Sequence, residues 1–194
     1  MWCWMWGSCE GAAGFRVQDL GLHPQLRVDL RDGVFWITKR IAIGQFVSEK
    51  RSAYLIERGI THILNVGEAE SLAYVRSGSF QEVIDISIND LARIPDDLAR
   101  KCVSSIHGIL SLPDSKLYIH CIAGQNRSPT ILWLYLLACG MDPDGAKQLI
   151  TDRCPDAVPG HGSLVDDKLI VMIQEFGEAN LRPLNDASTL QRAY

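Results

Sequence analysis

Residues 120–130 place a thiol and a guanidinium at a spacing that could perform phosphoryl-transfer chemistry. The stretch reads His-Cys-Ile-Ala-Gly-Gln-Asn-Arg-Ser-Pro-Thr, with Cys121 six positions before Arg127. The N–H groups of a tight loop and the positive end of a following helix can bind phosphoryl oxygens. Arg127 offers a planar fork that matches two of those oxygens. Because thiols in such a field ionise readily, the sequence predicts a nucleophilic Cys121 at the base of a phosphate-binding loop.

The segments beside this loop predict a strand before it and a helix after it. Leu117–His120 has the pattern of a short buried strand, and residues 129–139 form an apolar run that predicts a central helix. We expect Ser128 to cap that helix and Pro129 to take its first position. Gly124 permits a backbone conformation that a side chain would forbid. The alternative is an ordinary strand–helix turn with a structural cysteine and a surface arginine.

The pattern His-Cys-x-x-Gly-x-x-Arg-Ser resembles the signature of cysteine-dependent protein tyrosine phosphatases. The Ser-Pro-Thr after the arginine is similar to the small dual-specificity phosphatases, and segments 41–44, 59–66 and 157–164 extend the resemblance. It implies a catalytic domain over residues 34–176, an N-terminal extension over 1–33 and a C-terminal tail over 177–194. The family carries Asn after Pro in the late segment, where this chain has Gly160 and His161. A supporting hydrogen bond near the loop therefore lacks its usual side chain.

Phosphoryl transfer to a thiolate also requires an acid that protonates the leaving group. Asp90 follows a predicted strand, 31 residues before Cys121, at the place where the resembling family has its acid. Asp96 and Asp97 are the alternatives, although they better suit the first turn of a helix. No acid at all is the remaining possibility.

The other residues of the loop have supporting roles. We expect Ser128 to hydrogen-bond the thiolate, to cap the helix, or both. His120 is expected to orient the loop and tune the thiol rather than to act as a base. The predicted phosphate-binding residues are Ile122, Ala123, Gly124, Gln125, Asn126 and Arg127.

Strand and helix patterns alternate along the chain, which predicts an α/β fold with a central, mostly parallel sheet flanked by helices. The phosphatase-type loop would join a central strand to a helix at the carboxyl edge of that sheet. Residues 34–43 are predicted to form a strand or a hairpin, and residues 62–66 and 82–88 to form strands. Predicted helices cover residues 48–58, 95–112, 144–153 and 163–176.

Composition narrows the choice of partners. The net charge of −4 does not favour nucleic-acid binding, and the scattered histidines predict neither a metal nor another cofactor. The six cysteines form no framework, which favours reduced thiols and a cytoplasmic location. The N-terminal stretch Met-Trp-Cys-Trp-Met-Trp could contact a membrane or a groove of a partner protein, but a mis-assigned start or packing on the protein's own surface is the favoured interpretation.

These observations predict a phosphoric monoester hydrolase that acts through a phosphocysteine. The favoured substrate is a phosphorylated protein, on phosphotyrosine and also phosphoserine or phosphothreonine. Gln125 and Asn126 stand where family members acting on inositol lipids often have basic residues, which disfavours that class. Phospholipid, glucan and RNA 5′-phosphates remain alternatives, as does a non-catalytic phosphate-recognition module. An arsenate-reductase-like reaction, or a regulatory disulfide with Cys121, would need a second thiol such as Cys139 or Cys154 near the loop.

Overall fold

A five-stranded sheet forms the centre of the computed structural model, which describes residues 33–76 and 79–182. Its strands are β1 (Val34–Trp36), β2 (Ile41–Gly44), β3 (His62–Asn65), β4 (Glu82–Asp85) and β5 (Leu117–His120). The order across the sheet is β1-β2-β5-β3-β4. All neighbours are parallel except β1 and β2, which form an antiparallel hairpin. The predicted mostly parallel sheet is therefore confirmed, with β5 at its centre.

Side chains on successive residues of the inner strands enter two different apolar layers. Leu117 and Ile119 of β5 join the larger core, whereas Tyr118 between them joins the smaller one. This alternation is the two-residue period of a strand covered on both faces. Because both faces of β5 are covered, all four of its residues are buried. The strand that precedes the loop is thus fixed from both sides.

Six helices cover the sheet in the described part of the chain. They are α1 (Glu49–Glu57), α2 (Ala73–Arg76), α3 (Asp96–Leu110), α4 (Arg127–Ala138), α5 (Pro143–Thr151) and α6 (Asp167–Asn180). Leu55 of α1 and Val75 of α2 pack in the smaller core, and the other four helices supply the larger one. None of the described helices has the length and apolar composition that crossing a bilayer requires.

Helix α4 is enclosed by its neighbours, as its apolar sequence predicts. All twelve of its residues are buried, and α3, α5 and α6 pack around it. At Gly177, α6 comes so close that an added Cβ would lie 1.9 Å from the Ala138 carbonyl oxygen. The helix that follows the loop is thereby held as firmly as the strand that precedes it.

Several predicted boundaries are confirmed and others are wrong. Ser48 caps α1, with its Oγ accepting from Arg51 N at 3.3 Å, and Gly59 follows the helix with a φ of 76°. Helix α6 begins at Asp167 rather than at residue 163, because Asp166 is its cap while the Ser163 hydroxyl contacts His161. The same helix continues past residue 176, into the predicted tail. The short helix α2 was not predicted, and β4 ends at Asp85, three residues before the predicted end at position 88. The Trp-rich N-terminal stretch lies outside the described residues.

Candidate active site

Cys121 lies at the bottom of the loop that joins β5 to α4. Its side chain is buried, and its sulfur accepts a hydrogen bond from the backbone N–H of Gly124 at 3.3 Å. The hydroxyl oxygen of Ser128 lies 3.5 Å from the same sulfur. The loop therefore presents one backbone donor to this sulfur and holds a hydroxyl group within hydrogen-bonding reach of it.

The predicted start of helix α4 is wrong by two residues. The helix begins at Arg127, Asn126 occupies the capping position, and no side chain caps the first turn. Ser128 and Pro129 consequently lie inside the first turn, and Ser128 faces Cys121 instead of capping. A proline is tolerated there because first-turn N–H groups have no partner within the helix. The uncapped amides at this positive end suit an anion such as phosphate.

Close backbone contacts hold the loop from behind. Gly124 has a φ of 75°, and a Cβ added to it would lie 2.6 Å from the Gly44 carbonyl carbon. The N–H of Phe46 donates to the Ile122 carbonyl at 3.1 Å, and that of Val158 donates to the Gln125 carbonyl at 2.8 Å. These contacts fix the outward-facing carbonyls of the loop. The curvature of the loop is thus maintained by contacts with the segments packed around it.

The segment in which the family's asparagine is missing still supplies a hydrogen bond to α4. The backbone N–H of Gly160 donates to Thr130 Oγ1 at 3.1 Å. Gly160 has a φ of 69°, a conformation that side-chain-bearing residues rarely adopt. A backbone donor therefore ties this segment to the first turns of α4. His161 is exposed and contacts Ser163 instead.

The guanidinium of Arg127 is buried and aimed at two carboxylates. Its Nη1 donates to the Ile88 carbonyl at 3.1 Å, which fixes the direction of the side chain. Its Nε lies 3.3 Å from Asp90 Oδ1, and Nη1 lies 3.6 Å from Glu68 Oε2. Neither Nε nor Asp90 Oδ1 has a hydrogen-bonding partner among the described residues. Of the guanidinium atoms, Nη1 is thus engaged by the Ile88 carbonyl, whereas within the described part of the chain Nε makes only the ion-pair contact with Asp90.

The structure places Asp90 beside the loop and its two alternatives farther along the chain. Asp90 lies in the loop between β4 and α3, with about a third of its side chain exposed. Asp96 and Asp97 lie in the first turn of α3, where Asp96 binds Arg93 at 2.9 Å. Of these three carboxylates, Asp90 is the one that contacts Arg127. Asp90 is therefore the predicted acid candidate that the structure brings to Arg127, and its role as the acid stays a prediction.

His120 is a buried, neutral residue. Its Nδ1–H donates to the Cys121 carbonyl at 3.1 Å, and its ring stacks on Tyr118 with centroids 5.7 Å apart. Burial lowers the pKa of His120 from 6.5 to about 4. Since the ring carries no charge at neutral pH, it orients the first peptide of the loop and adds no positive field at the sulfur.

Glu68 is a residue of the site that sequence reasoning missed. It follows β3, and β3 is the neighbour of β5 in the sheet. Because the carboxyl ends of parallel strands meet at one edge, any polar residue just after β3 is a candidate for the site. The run Asn-Val-Gly-Glu at positions 65–68 was the available signal.

A polar network holds the segment that carries Glu68. Asn65 Oδ1 accepts from Gly67 N at 2.9 Å, and Asn65 Nδ2 donates to Asp85 Oδ1 at 2.8 Å. Asp85 also accepts from the Ser71 hydroxyl at 2.6 Å and binds Arg76. Burial alone would raise the pKa of Asp85, but these hydrogen bonds and the arginine hold it below its usual value. The carboxylate is therefore a charged anchor for residues 67–71.

The remaining described cysteines have no features of reactive thiols. Cys102, Cys139 and Cys154 are free and buried. Burial raises the pKa of Cys102 and Cys139 to about 12 and that of Cys154 to about 11. A resolving thiol attacks as a thiolate, so these residues do not favour the arsenate-reductase-like alternative. Among the described residues, no cluster of histidine, cysteine and carboxylate side chains could hold a metal ion.

Comparison with known proteins supports the same assignment. Residues 35–161 match the model of the family described as "Swiss Army Knife protein, DSP-PTPase phosphatase domain". Dual specificity protein phosphatase 15 of Mus musculus is 26% identical over 160 residues, which cover 79% of this chain and 61% of that protein. Dual specificity protein phosphatase 1B of Arabidopsis thaliana is 30% identical over 129 residues, which cover 65% of this chain and 74% of that protein. The chain thus spans about three fifths of the length of the mouse relative.

Solved structures share the fold at lower identity. The crystal structure of DUSP15 superposes with a TM-score of 0.59 at 22% identity, covering 81% of this chain and 90% of that one. The crystal structure of PTPMT1 in complex with PI(5)P gives a TM-score of 0.60 at 13% identity, covering 76% and 96%. The predicted fold class and the predicted small dual-specificity type are both confirmed. This chain belongs to the DSP-PTPase family and carries its cysteine-phosphatase domain.

Proposed function

We propose that this protein hydrolyses phosphomonoesters through a phosphocysteine on Cys121, and that its substrates are proteins phosphorylated on tyrosine and on serine or threonine. The observation that carries the proposal is the environment of one sulfur. The Cys121 sulfur receives the Gly124 N–H at 3.3 Å, at the uncapped start of α4, with the buried Arg127 at the end of the same loop. This arrangement supports a role for Cys121 as a nucleophile below a site for a phosphoryl dianion.

In the first step, the thiolate attacks phosphorus and forms an S–P bond while the P–O bond to the leaving group breaks. The Arg127 fork and the first-turn amides of α4 bind the nonbridging oxygens, where negative charge is held in the transition state. The phosphoryl group replaces Asp90 as the partner of Arg127 Nε. Protonated Asp90 is then beside the leaving oxygen, and its proton neutralises the departing alkoxide or phenoxide.

In the second step, water attacks phosphorus and the S–P bond breaks. Asp90, now a carboxylate, accepts a proton from that water, so that inorganic phosphate leaves and the acid is regenerated. The thiolate is the leaving group of this step. The Ser128 hydroxyl lies 3.5 Å from the sulfur, and a hydrogen bond donated by this hydroxyl to the departing thiolate would stabilise the returning charge. Ser128 is therefore proposed to act mainly in hydrolysis of the intermediate.

Two observations support protein substrates over inositol lipids. The mouse and Arabidopsis relatives reported above are both named dual specificity protein phosphatases. Within residues 121–128, Arg127 is the only charged residue, and a headgroup with several phosphates needs more cations than this loop offers. The likeness to PTPMT1, whose structure holds PI(5)P, concerns the fold and makes a monophosphorylated lipid the second candidate to test.

The experiment is a panel of phosphorylated substrates offered to the wild type and to Cys121→Ser. The panel contains phosphotyrosine, phosphoserine and phosphothreonine peptides, PI(5)P, a phosphorylated glucan and an RNA 5′-phosphate. We expect turnover of the phosphotyrosine peptide by the wild type, and retention of that peptide by Cys121→Ser without turnover. Faster turnover of PI(5)P than of every peptide would reassign the substrate. Binding without turnover by the wild type would indicate a phosphate-recognition module.

We also propose a reducing, cytoplasmic location. A nucleophilic thiol works only while it stays reduced, and the described cysteines are all free. Quantification of the Cys121 thiol in protein rapidly alkylated inside cells checks this proposal. A predominantly oxidised Cys121 would contradict it.

A further inference from the structure

We propose that Glu68 determines the specificity of this site by rejecting substrates that carry a second negative charge beside the phosphoryl group and by favouring those with a neighbouring cation. The inference rests on the proposed function, because it assumes that Arg127 binds the phosphoryl group. The proposed role of Glu68 is to make substrate binding depend on the charges that lie next to the phosphoryl group.

The position of the Glu68 carboxylate is the first argument. Its Oε2 lies 3.6 Å from Arg127 Nη1, so it is adjacent to any anion that the same guanidinium binds. The arginine side chain is only 5% exposed, whereas that of Glu68 is 59% exposed. Glu68 thus contacts the buried guanidinium with one oxygen while much of its side chain is open to solvent.

The second argument is that Glu68 is held in place. Gly67 packs against the loop, since a Cβ added there would lie 3.5 Å from Ile122 Cδ1 and 3.7 Å from the Cys121 carbonyl carbon. Asn65 and the charged Asp85 bind the backbone on both sides of Glu68, at Gly67 and Ser71. A carboxylate on a fixed segment repels an anion more effectively than one on a segment that can turn away.

The third argument is the charge balance around Arg127. Both Glu68 and Asp90 lie within 4 Å of this one guanidinium. Arg93, three residues after Asp90, is bound to Asp166 at 2.7 Å and to Asp96 at 2.9 Å. When a phosphoryl dianion binds Arg127, Glu68 therefore faces it with a negative charge. A substrate cation next to the phosphate would offset this excess negative charge around Arg127, and a second phosphate would increase it.

The magnitude follows from Coulomb's law. A second phosphate that brings one unit of negative charge to roughly 7 Å from Glu68, at effective dielectric constants between about 40 and 80, should bind about 3–10-fold more weakly than it would without the Glu68 charge. Salt should reduce the effect, because Glu68 is partly exposed to solvent.

The first test measures binding to the Cys121→Ser protein. Phenyl phosphate and benzene-1,2-diyl bisphosphate are titrated into that protein and into its Glu68→Gln and Glu70→Gln derivatives. Glu70 is the matched control, since it lies on the same segment but pairs with Arg76 at 3.8 Å. We expect Glu68→Gln to improve bisphosphate binding about 3–10-fold more than monophosphate binding. Equal changes for both ligands, or the same discrimination in Glu70→Gln, would overturn the proposal.

The second test uses turnover of phosphotyrosine peptides that differ in one neighbouring residue, Arg, Ala or Asp. The wild type should prefer Arg over Asp, and Glu68→Gln should reduce that ratio several-fold while Glu70→Gln leaves it unchanged. An unchanged ratio in Glu68→Gln would contradict the specificity role. If the bisphosphate discrimination holds but no peptide is hydrolysed, the protein-phosphatase proposal fails and the role of Glu68 stands.

Discussion

The Gly124→Ala substitution tests whether the backbone geometry of the loop, and not only its side chains, supports catalysis. Gly124 combines a φ of 75° with close packing on β2. An alanine Cβ there would meet the carbonyl carbon, the carbonyl oxygen and the following amide nitrogen at 2.6, 2.8 and 3.0 Å. All three atoms belong to the backbone of Gly44 and Gln45, so none can turn aside as a flexible side chain would.

The size of the effect follows from these distances. Ordinary contact begins at 3.4 Å, so the loop and β2 must separate by about 0.8 Å. The positive φ costs roughly 1–2 kcal/mol in addition for any residue with a Cβ. Misplacement of reacting groups by about 1 Å can cost on the order of 100-fold in rate. Because the Gly124 N–H donates to the Cys121 sulfur, the displacement acts directly on the nucleophile.

The assay compares kcat/KM for an aryl phosphate, vanadate affinity and thermal unfolding in Gly124→Ala and Gly108→Ala. Gly108 lies on the exposed side of α3, with nothing within 4 Å of an added Cβ. The control should keep its activity and gain roughly 0.5–1 kcal/mol of stability from its better helix propensity. We expect Gly124→Ala to lose about two orders of magnitude in kcat/KM and to bind vanadate more weakly. Wild-type kinetics in Gly124→Ala would refute the reasoning.

Three further substitutions test single roles. Arg127→Lys keeps the charge but loses the fork, so kcat should fall by about 10²–10³-fold, nearly as far as in Arg127→Ala; near-wild-type rates would contradict bidentate binding. Asp90→Asn should lower kcat by about 10²–10⁴-fold for alkyl phosphates and lower it less for activated aryl phosphates; the same dependence on the leaving group in Asp96→Asn instead would move the acid there. His120 has a pKa lowered to about 4 from 6.5, so the unfolded chain binds a proton that the folded one does not, and stability is lost as pH falls from 6.5 towards 4. Urea unfolding measures how much of the free energy of unfolding is lost between pH 7 and pH 5. This loss should be about 2 kcal/mol smaller in His120→Asn than in the wild type, and an equal loss in both proteins would count against a neutral buried ring.

The sequence was sufficient to predict those parts of the site whose residues lie close together along the chain. The β5-loop-α4 unit is local, so the spacing of Cys121 and Arg127 predicted which groups would lie at its two ends. Alternation of strand and helix patterns was likewise sufficient for the mostly parallel sheet. Asp90 was predicted from a resemblance, and the structure places it 3.3 Å from Arg127 Nε.

The errors concern the exact ends of helices and contacts between segments distant in sequence. Ser128 has the composition of a cap, but the helix begins one residue before it and its hydroxyl faces the sulfur. Glu68 enters the site because β3 and β5 are adjacent, although 53 residues separate Glu68 from Cys121. Periodicity reports which face of an element is buried, whereas the order of strands in a sheet determines which loops meet.

The central claim is that Cys121 carries the phosphoryl group between the two steps, and trapping that intermediate tests it most directly. Acid-quenched reactions of the wild type and Ser128→Ala with an aryl phosphate, followed by peptide mass spectrometry, should show a phosphoryl group on the Cys121 sulfur. The adduct should accumulate more in Ser128→Ala, because the proposed donor to the departing thiolate is missing. Cys121→Ser should bind vanadate but form no adduct and show no burst of phenol release. A burst in Cys121→Ser, or a phosphoryl group mapped to another residue of the wild type, would contradict the account.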